Sequence, residues 1–164
     1  MAGNAVPGKA APQKATLAAV PRPALVLGFA GLIPFLASAL GVWTAGYPRS
    51  LIALDIQLAY GAVILSFMGA VHWGLAMAGG AGAMSFHRLG WSVVPALAGW
   101  LALLLNPAYG VILMVIGFAG VYFGDLRSIA ADNTPAWYKA LRKPLTIIVI
   151  ASLASSYGAL VVGV

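Results

Sequence analysis

The stretch Ile52–Ala78, IALDIQLAYGAVILSFMGAVHWGLAMA, contains one acidic residue, one histidine and no lysine or arginine. About 20 apolar residues are enough for a helix to cross the hydrocarbon core of a bilayer, at a rise of about 1.5 Å per residue. Strands that cross a membrane alternate polar and apolar residues, and this stretch does not. It therefore predicts a transmembrane helix.

The composition of the whole chain agrees with that prediction. Of 164 residues, 62% are hydrophobic and only 7% are charged, whereas a soluble domain is about 25% charged. Backbone amides in hydrocarbon must be bonded within their own segment, so we expect an all-α membrane protein, a bundle of five transmembrane helices. The four other predicted spans are roughly Ala24–Thr44, Leu89–Leu105, Tyr109–Phe123 and Leu145–Val162.

Prolines divide and bend these segments. The sequence NPAYG at 106–110 cannot continue a helix through Pro107, so the third and fourth spans should form a tight hairpin. Pro34 and Pro95 fall inside the first and third spans and should kink them. Neighbouring helices are then expected to bond the backbone carbonyls that the prolines leave free.

The segment DNTPAWYKALRKP at 132–144 predicts a short amphipathic helix on the membrane surface, before Pro144 starts the last span. Thr134 can cap this helix, and Pro135 suits its first position. An irregular loop with the same aromatic residues at the interface is the alternative. The residues expected at the lipid headgroups are Trp137, Tyr138, Lys139, Arg142 and Lys143.

The amino-terminal segment 1–23 is rich in alanine and proline and contains basic but no acidic residues. It lacks the compact apolar core and cleavage site of a signal peptide. We expect a disordered basic tail over 1–23, followed by a five-helix transmembrane domain over 24–164. A transit peptide is the alternative interpretation of the tail.

The charge distribution predicts an orientation. With the amino terminus inside, eight of the nine basic residues lie on the inner side and only Arg49 lies outside, as the positive-inside rule requires. The carboxyl terminus is then outside. In a soluble protein a net charge of +6 would suggest nucleic acid, but the spans leave no room for a nucleic-acid-binding domain. We therefore expect no nucleic-acid partner.

His72 is the most informative single residue, because an ionisable residue within a span is a functional candidate by default. Its neighbour Trp73 lies about 100° away around a helix, so the two side chains should point in different directions. His72 could be a neutral imidazole bonded to a neighbouring helix, or a haem or copper(I) ligand with Met68 one turn before it. A second haem ligand is missing, since His87 is predicted in a loop beside Arg88. No cofactor and no metal are therefore predicted.

Other polar residues offer no catalytic set. The absence of cysteine excludes disulfides and thiolate ligands. On a helical wheel, one face of the second span carries Asp55, Ala62, Ser66, Gly69 and Trp73 and suits a closely packed neighbour. Asp125 is expected to make a partly solvated pair with a base such as Arg127 or Arg88. The candidate functional or helix-packing residues are His72, Trp73, Ser66, Tyr60, Asp55 and Trp91.

Three stretches together carry a resemblance to a known family: LAYGAVILSFMGAVHWGLAM at 58–77, RLGWSVVPALAGWLALLL at 88–105 and PAWYKALRKPLT at 135–146. They resemble the transmembrane protein 69-like family of unknown function, domain-of-unknown-function family 3429, from roughly Leu25 to Val162. The matching motif positions are Tyr60, Gly61, Ser66, His72, Trp73, Gly74, Trp91, Pro95, Trp137, Tyr138, Arg142 and Pro144.

This resemblance implies five helices in a bacterial inner membrane or, as the alternative, a mitochondrial inner membrane, and it implies no established reaction. We expect a non-enzymatic accessory, structural or assembly protein of a membrane complex. Its expected partners are the lipid bilayer and either other subunits of that complex or further copies of itself. A haem- or copper-binding redox protein using His72 and a small oligomeric transporter using Asp55 are the alternatives.

Overall fold

The computed structural model describes residues 16–79, 85–131 and 136–163, and every regular element among them is helical. This confirms the all-α fold class. A short 3-10 helix, Leu17–Ala19, precedes six α-helices. They are α1 Arg22–Ala30, α2 Ile33–Thr44, α3 Arg49–Ala78, α4 Phe86–Leu104, α5 Pro107–Ala131 and α6 Ala136–Val162.

Four described helical stretches are long and apolar enough to cross a membrane: Arg22–Thr44, Arg49–Ala78, Pro107–Arg127 and Trp137–Val162. The first of these combines α1 and α2. Helix α4 has 19 residues and carries His87 and Arg88 in its first turn, and it is not among the four. The protein is thus a helical membrane protein, and the count of five spans stays a prediction.

Residues 16–23 fall within the predicted basic tail. They include the 3-10 helix and the first two residues of α1, and the side chain of Val20 is buried there. Residues 1–15 lie outside the described part of the chain.

The predicted kink at Pro34 appears as the break between α1 and α2. Proline has no backbone N–H and cannot continue the bonding pattern of the first helix. At the break, the hydroxyl of Tyr60 on α3 donates to the carbonyl of Gly31 at 3.1 Å. A neighbouring helix therefore bonds a backbone carbonyl at the break, as the sequence predicts, and Tyr60 has a helix-packing role.

Helices α4 and α5 form the predicted hairpin. Only Leu105 and Asn106 separate them, and the Asn106 side-chain oxygen accepts from the backbone N–H of Ala108 at 3.1 Å. Pro107 begins α5, a position where its missing N–H costs nothing.

Helix α4 packs closely against α3 and runs antiparallel to it. A Cβ atom added to Gly69 would overlap the carbonyl oxygen of Ser92, and one added to Gly99 would lie 2.9 Å from the Cα of Ala62. The prediction that this face of α3 packs against a neighbouring helix is therefore confirmed at Ala62 and Gly69, which are buried.

The other three residues of that predicted face are exposed, and this corrects the prediction. They are Asp55, Ser66 and Trp73. The hairpin is close to α3 at Leu58, whose Cδ1 atom would lie 3.3 Å from a Cβ added to Gly110. Asp55 lies about one turn further along α3, towards its amino-terminal end.

The separate surface helix predicted before the last span is not a separate element. Residues from Ala136 onward are continuous with the last span in α6, and Pro144 lies inside that helix. The predicted cap Thr134 and first position Pro135 lie outside the described residues.

The core joins α2, α3, α5 and α6. The Phe35 ring packs edge-to-face against the rings of Tyr60 and Phe118, with centroid separations of 5.2 and 5.8 Å. Such aromatic pairs add to the stabilisation from dispersion and packing. Fully buried aliphatic side chains surround them: Val42, Leu54, Leu65, Val111, Met114 and Leu153.

Candidate functional site

A buried ionic cluster joins three helices. Nε2 of His72 on α3 lies 2.7 Å from Oδ1 of Asp125 on α5, and Nε of Arg142 on α6 donates to Oδ2 of the same carboxylate at 2.6 Å. The side chains of His72, Asp125 and Arg142 are 9%, 3% and 7% exposed. We call these residues the ionic cluster.

The two contacts of the Asp125 carboxylate differ in quality. The Arg142 contact is a charge-assisted hydrogen bond, which is the stronger kind. The His72 contact has ion-pair distance but not the alignment of a hydrogen bond. Of these two partners, Arg142 therefore interacts more strongly with Asp125.

Burial makes this pairing necessary. A carboxylate or guanidinium removed from water without a partner is very costly, and an opposite charge at hydrogen-bond distance offsets much of that cost. Because its members come from α3, α5 and α6, the cluster also fixes these three helices relative to one another. Its first effect is thus structural.

The cluster corrects the solvation predicted for Asp125 and gives it two further partners. The carboxylate is buried rather than partly solvated, and it contacts Arg142 and His72, which were not its predicted partners. The reason is that α6 continues before Pro144 and packs against α5, which brings Arg142 beside Asp125.

Arg142 also differs from its predicted place at the lipid headgroups, since only 6% of the residue is exposed. Lys143, the next residue along α6, is exposed, because successive helical residues point about 100° apart. Trp137, Tyr138 and Lys139 are partly buried, and their contact with headgroups stays a prediction.

The structure separates His72 from Trp73, as predicted. His72 turns inward to Asp125, whereas Trp73 is 43% exposed. Ser66 donates to the carbonyl of Ala62 within its own helix at 2.9 Å, and Asp55 is exposed near the opposite end of α3. The sequence candidates on α3 therefore do not converge on one site.

Trp91 lies beside the ionic cluster. A Cβ atom added to Gly124 would come within 2.9 Å of Nε1 of the Trp91 indole, so glycine at this position allows α4 to approach α5 next to Asp125. His87, Trp91, Gly124 and Arg127 line a surface cavity of about 250 Å³ at this point. His87 is exposed in the first turn of α4 rather than in a loop.

A second buried polar network was not predicted. The Gln57 amide on α3 donates to the carbonyl of Phe35 at 3.1 Å and to the hydroxyl of Ser152 at 2.9 Å. That hydroxyl donates to the same carbonyl at 2.8 Å. A lone glutamine inside an apolar run was the available signal, but the sequence does not show which helices meet there.

Within the described ranges, no group of three or more His, Asp or Glu side chains is placed to hold a metal ion. Nε2 of His72 and Nε of Arg142 both face the Asp125 carboxylate of the protein itself. Its arrangement can hold helices together and can keep a charge network at membrane depth.

Comparison with known proteins shows the family. A family model described as "Protein of unknown function (DUF3429)" matches residues 20–158. Transmembrane protein 69 from Xenopus tropicalis is 42% identical over 141 residues, covering 83% of this chain and 54% of that protein. Transmembrane protein 69 from Mus musculus is 35% identical over 138 residues, covering 80% and 54% respectively.

The chain thus spans about half the length of these curated relatives. No solved structure matches it. The match across nearly all of the helical region, together with the similarity to the two vertebrate proteins, shows that the chain belongs to the DUF3429 family of transmembrane proteins.

Proposed function

We propose that this protein is a non-enzymatic accessory, structural or assembly protein of a membrane complex. The observation that carries the proposal is the ionic cluster, in which the His72 side chain of α3 and the Arg142 side chain of α6 both contact Asp125 on α5. Buried groups committed to one another stabilise the arrangement of helices instead of presenting a reactive centre to a substrate.

Other polar side chains of the described spans support the same conclusion. Tyr60 and Gln57 bond backbone carbonyls near the break between α1 and α2, and Trp43 donates to the hydroxyl of Ser155 on α6 at 3.0 Å. Each of these bonds ties one helix to another. They favour a rigid scaffold.

An exposed face of α3 is suited to a partner helix. Ser66, Ala70 and Gly74 follow one another at spacings of four residues and are exposed, and nothing lies within 4 Å of a Cβ added to Gly74. Small residues at this spacing let two membrane helices approach closely. Trp73 and Met77 border the face and are 43% and 59% exposed, which adds apolar contact area.

The test is purification of the native protein in a mild detergent after cross-linking in its own membrane. We expect stoichiometric co-purification of a partner subunit or of a second copy. Gly74→Leu should remove that association by blocking close approach, whereas Gly90→Leu, at another exposed glycine with open space around it, should retain it.

Two results contradict this proposal. One is a clean monomer without a partner in the native membrane. The other is a stoichiometric haem or copper that is lost in His72→Ala, which would favour a redox protein. Association that survives Gly74→Leu would contradict the proposed surface.

We further propose five spans with the amino terminus on the inner side, in a bacterial inner membrane or a mitochondrial inner membrane. The excess of basic residues on one side supports this orientation. Reporter fusions test it: a reporter active only outside the cytoplasm, or only outside the matrix, should be active at Val164. A reporter at Val164 that is active on the inner side would contradict the topology.

A further inference from the structure

A lateral pocket lies next to the ionic cluster, between the α1–α2 break and helices α3, α5 and α6. Its volume is about 130 Å³. The walls are mainly apolar, and two polar residues of α6, Arg142 and Thr146, also line it. Phe35, Met68 and Phe118 are among its apolar residues. We call this cavity the lateral pocket.

Both polar residues in its lining have unused hydrogen-bonding capacity. Nη2 of Arg142 and Oγ1 of Thr146 are buried and have no hydrogen-bond partner among the described residues. The two residues are only 6% and 5% exposed. Leaving a buried donor unpaired costs about 1–3 kcal/mol, and more for a charged group.

Thr146 differs from three other hydroxyl residues in these helices. The side chains of Thr44, Ser66 and Ser156 donate to the backbone carbonyl four residues earlier, at 2.8, 2.9 and 3.2 Å. The hydroxyl of Thr146 makes no such bond. Its donor is therefore available to a molecule in the lateral pocket, beside that of Arg142.

The rim of the pocket is open to the surroundings of the protein. Leu27 on α1 and Phe67 on α3 line the pocket and are 72% and 60% exposed. They belong to stretches apolar enough to span a membrane, so the rim faces lipid. A ligand would enter sideways from the bilayer.

The charges beside the lateral pocket indicate which polar group a ligand would carry. The Arg142 guanidinium already contacts the Asp125 carboxylate at 2.6 Å, so its positive charge has a counter-ion. What the pocket lacks is an uncharged acceptor for Nη2–H and the threonine hydroxyl. A carbonyl oxygen is an uncharged acceptor of this kind. The apolar part of a ligand that carries the carbonyl would match the aromatic and aliphatic walls of the pocket.

We propose that the lateral pocket binds the carbonyl group of a membrane-dissolved amphiphile, with Arg142 and Thr146 as the donors. The volume is similar to that of an engineered protein cavity of about 150 Å³ that takes up benzene. It therefore holds a single ring or one short length of acyl chain, and the rest of the ligand lies in the bilayer. A glycerolipid ester and a quinone both supply this chemistry.

Native mass spectrometry of the full chain in detergent tests the proposal. The probes are dioleoyl phosphatidylcholine, its dialkyl ether analogue, which lacks both carbonyls, and decyl-benzoquinone. We expect the protein to retain a carbonyl probe about fivefold better than the ether, which corresponds to one net hydrogen bond. Thr146→Val should remove most of this preference.

Matched variants separate binding from general damage. Ile64→Phe adds a ring to the wall of the pocket and should lower retention of every probe, whereas Ile116→Phe, at a 60% exposed position, should not. Thr44→Val, whose hydroxyl bonds only within its own helix in the described structure, is the control for Thr146→Val.

The outcomes are distinct. Displacement of the diester by the quinone, dependent on Thr146, supports the proposal and identifies a quinone-type ligand. Thr146-dependent retention of the diester without such displacement supports it and identifies a glycerolipid. Equal retention of diester and ether, together with quinone retention unaffected by Thr146→Val and Ile64→Phe, overturns it.

Discussion

Arg142→Met should lower the free energy of unfolding by about 3–5 kcal/mol, the usual effect of removing one partner from a buried ion pair. Methionine keeps much of the apolar stem of the arginine, so the loss of packing is small. The Asp125 carboxylate, which is 2% exposed, loses its aligned hydrogen bond and keeps the poorly aligned contact with His72. The large loss of stability comes from this buried carboxylate, which no longer has its main partner.

Asp125→Leu should be similarly destabilising, because it strands the buried Arg142 guanidinium. The double variant Asp125→Leu/Arg142→Met removes both charges and should be more stable than either single variant. Replacing a complete buried pair by apolar residues is often neutral or even stabilising. Such a rescue would show that the cost arises from an unpaired charge.

Unfolding in mixed micelles of a mild detergent and dodecyl sulfate, followed by near-ultraviolet circular dichroism of the packed aromatic side chains, measures these differences. Arg127→Met is the matched control, since Arg127 is exposed near the end of α5, and it should lie within about 0.5 kcal/mol of the unchanged protein. A double variant less stable than both single variants would contradict this account of the cluster.

The sequence was sufficient for features that depend on one segment at a time. Apolar runs long enough to span a bilayer predicted the helices, and Pro34 and Pro107 predicted the break and the hairpin. The opposed directions of His72 and Trp73 followed from helical geometry alone. Each of these predictions needs only the local rise and rotation of a helix.

Features that depend on contact between segments were not predictable in the same way. The sequence identifies His72, Asp125 and Arg142 as ionisable, but the first two are 53 positions apart in the chain. Which basic residue reaches Asp125 depends on how α6 is rotated against α5. The predicted break at Pro144 also placed Arg142 on the membrane surface, whereas the continuous α6 carries it into the bundle.

Gly69→Ala should lower the free energy of unfolding by about 1–3 kcal/mol, the usual effect of overpacking. Its new Cβ atom would overlap the backbone carbonyl of Ser92, which cannot swing aside as a flexible side chain can. Helix α4 would have to move away from α3, and the contact between Gly99 and Ala62 would loosen with it. The same unfolding measurement in mixed micelles detects the change.

Gly74→Ala in the same helix is the matched control. Nothing lies within 4 Å of a Cβ at Gly74, and alanine favours a helix over glycine by about 1 kcal/mol at most. Because the unfolded state in dodecyl sulfate keeps helical structure, we expect Gly74→Ala to lie within about 1 kcal/mol of the unchanged protein in either direction. Both substitutions add one methyl group to α3, so a difference between them isolates the close approach of α4. If both variants had the same stability, α3 and α4 could not be packed as closely at Gly69 as the structure shows.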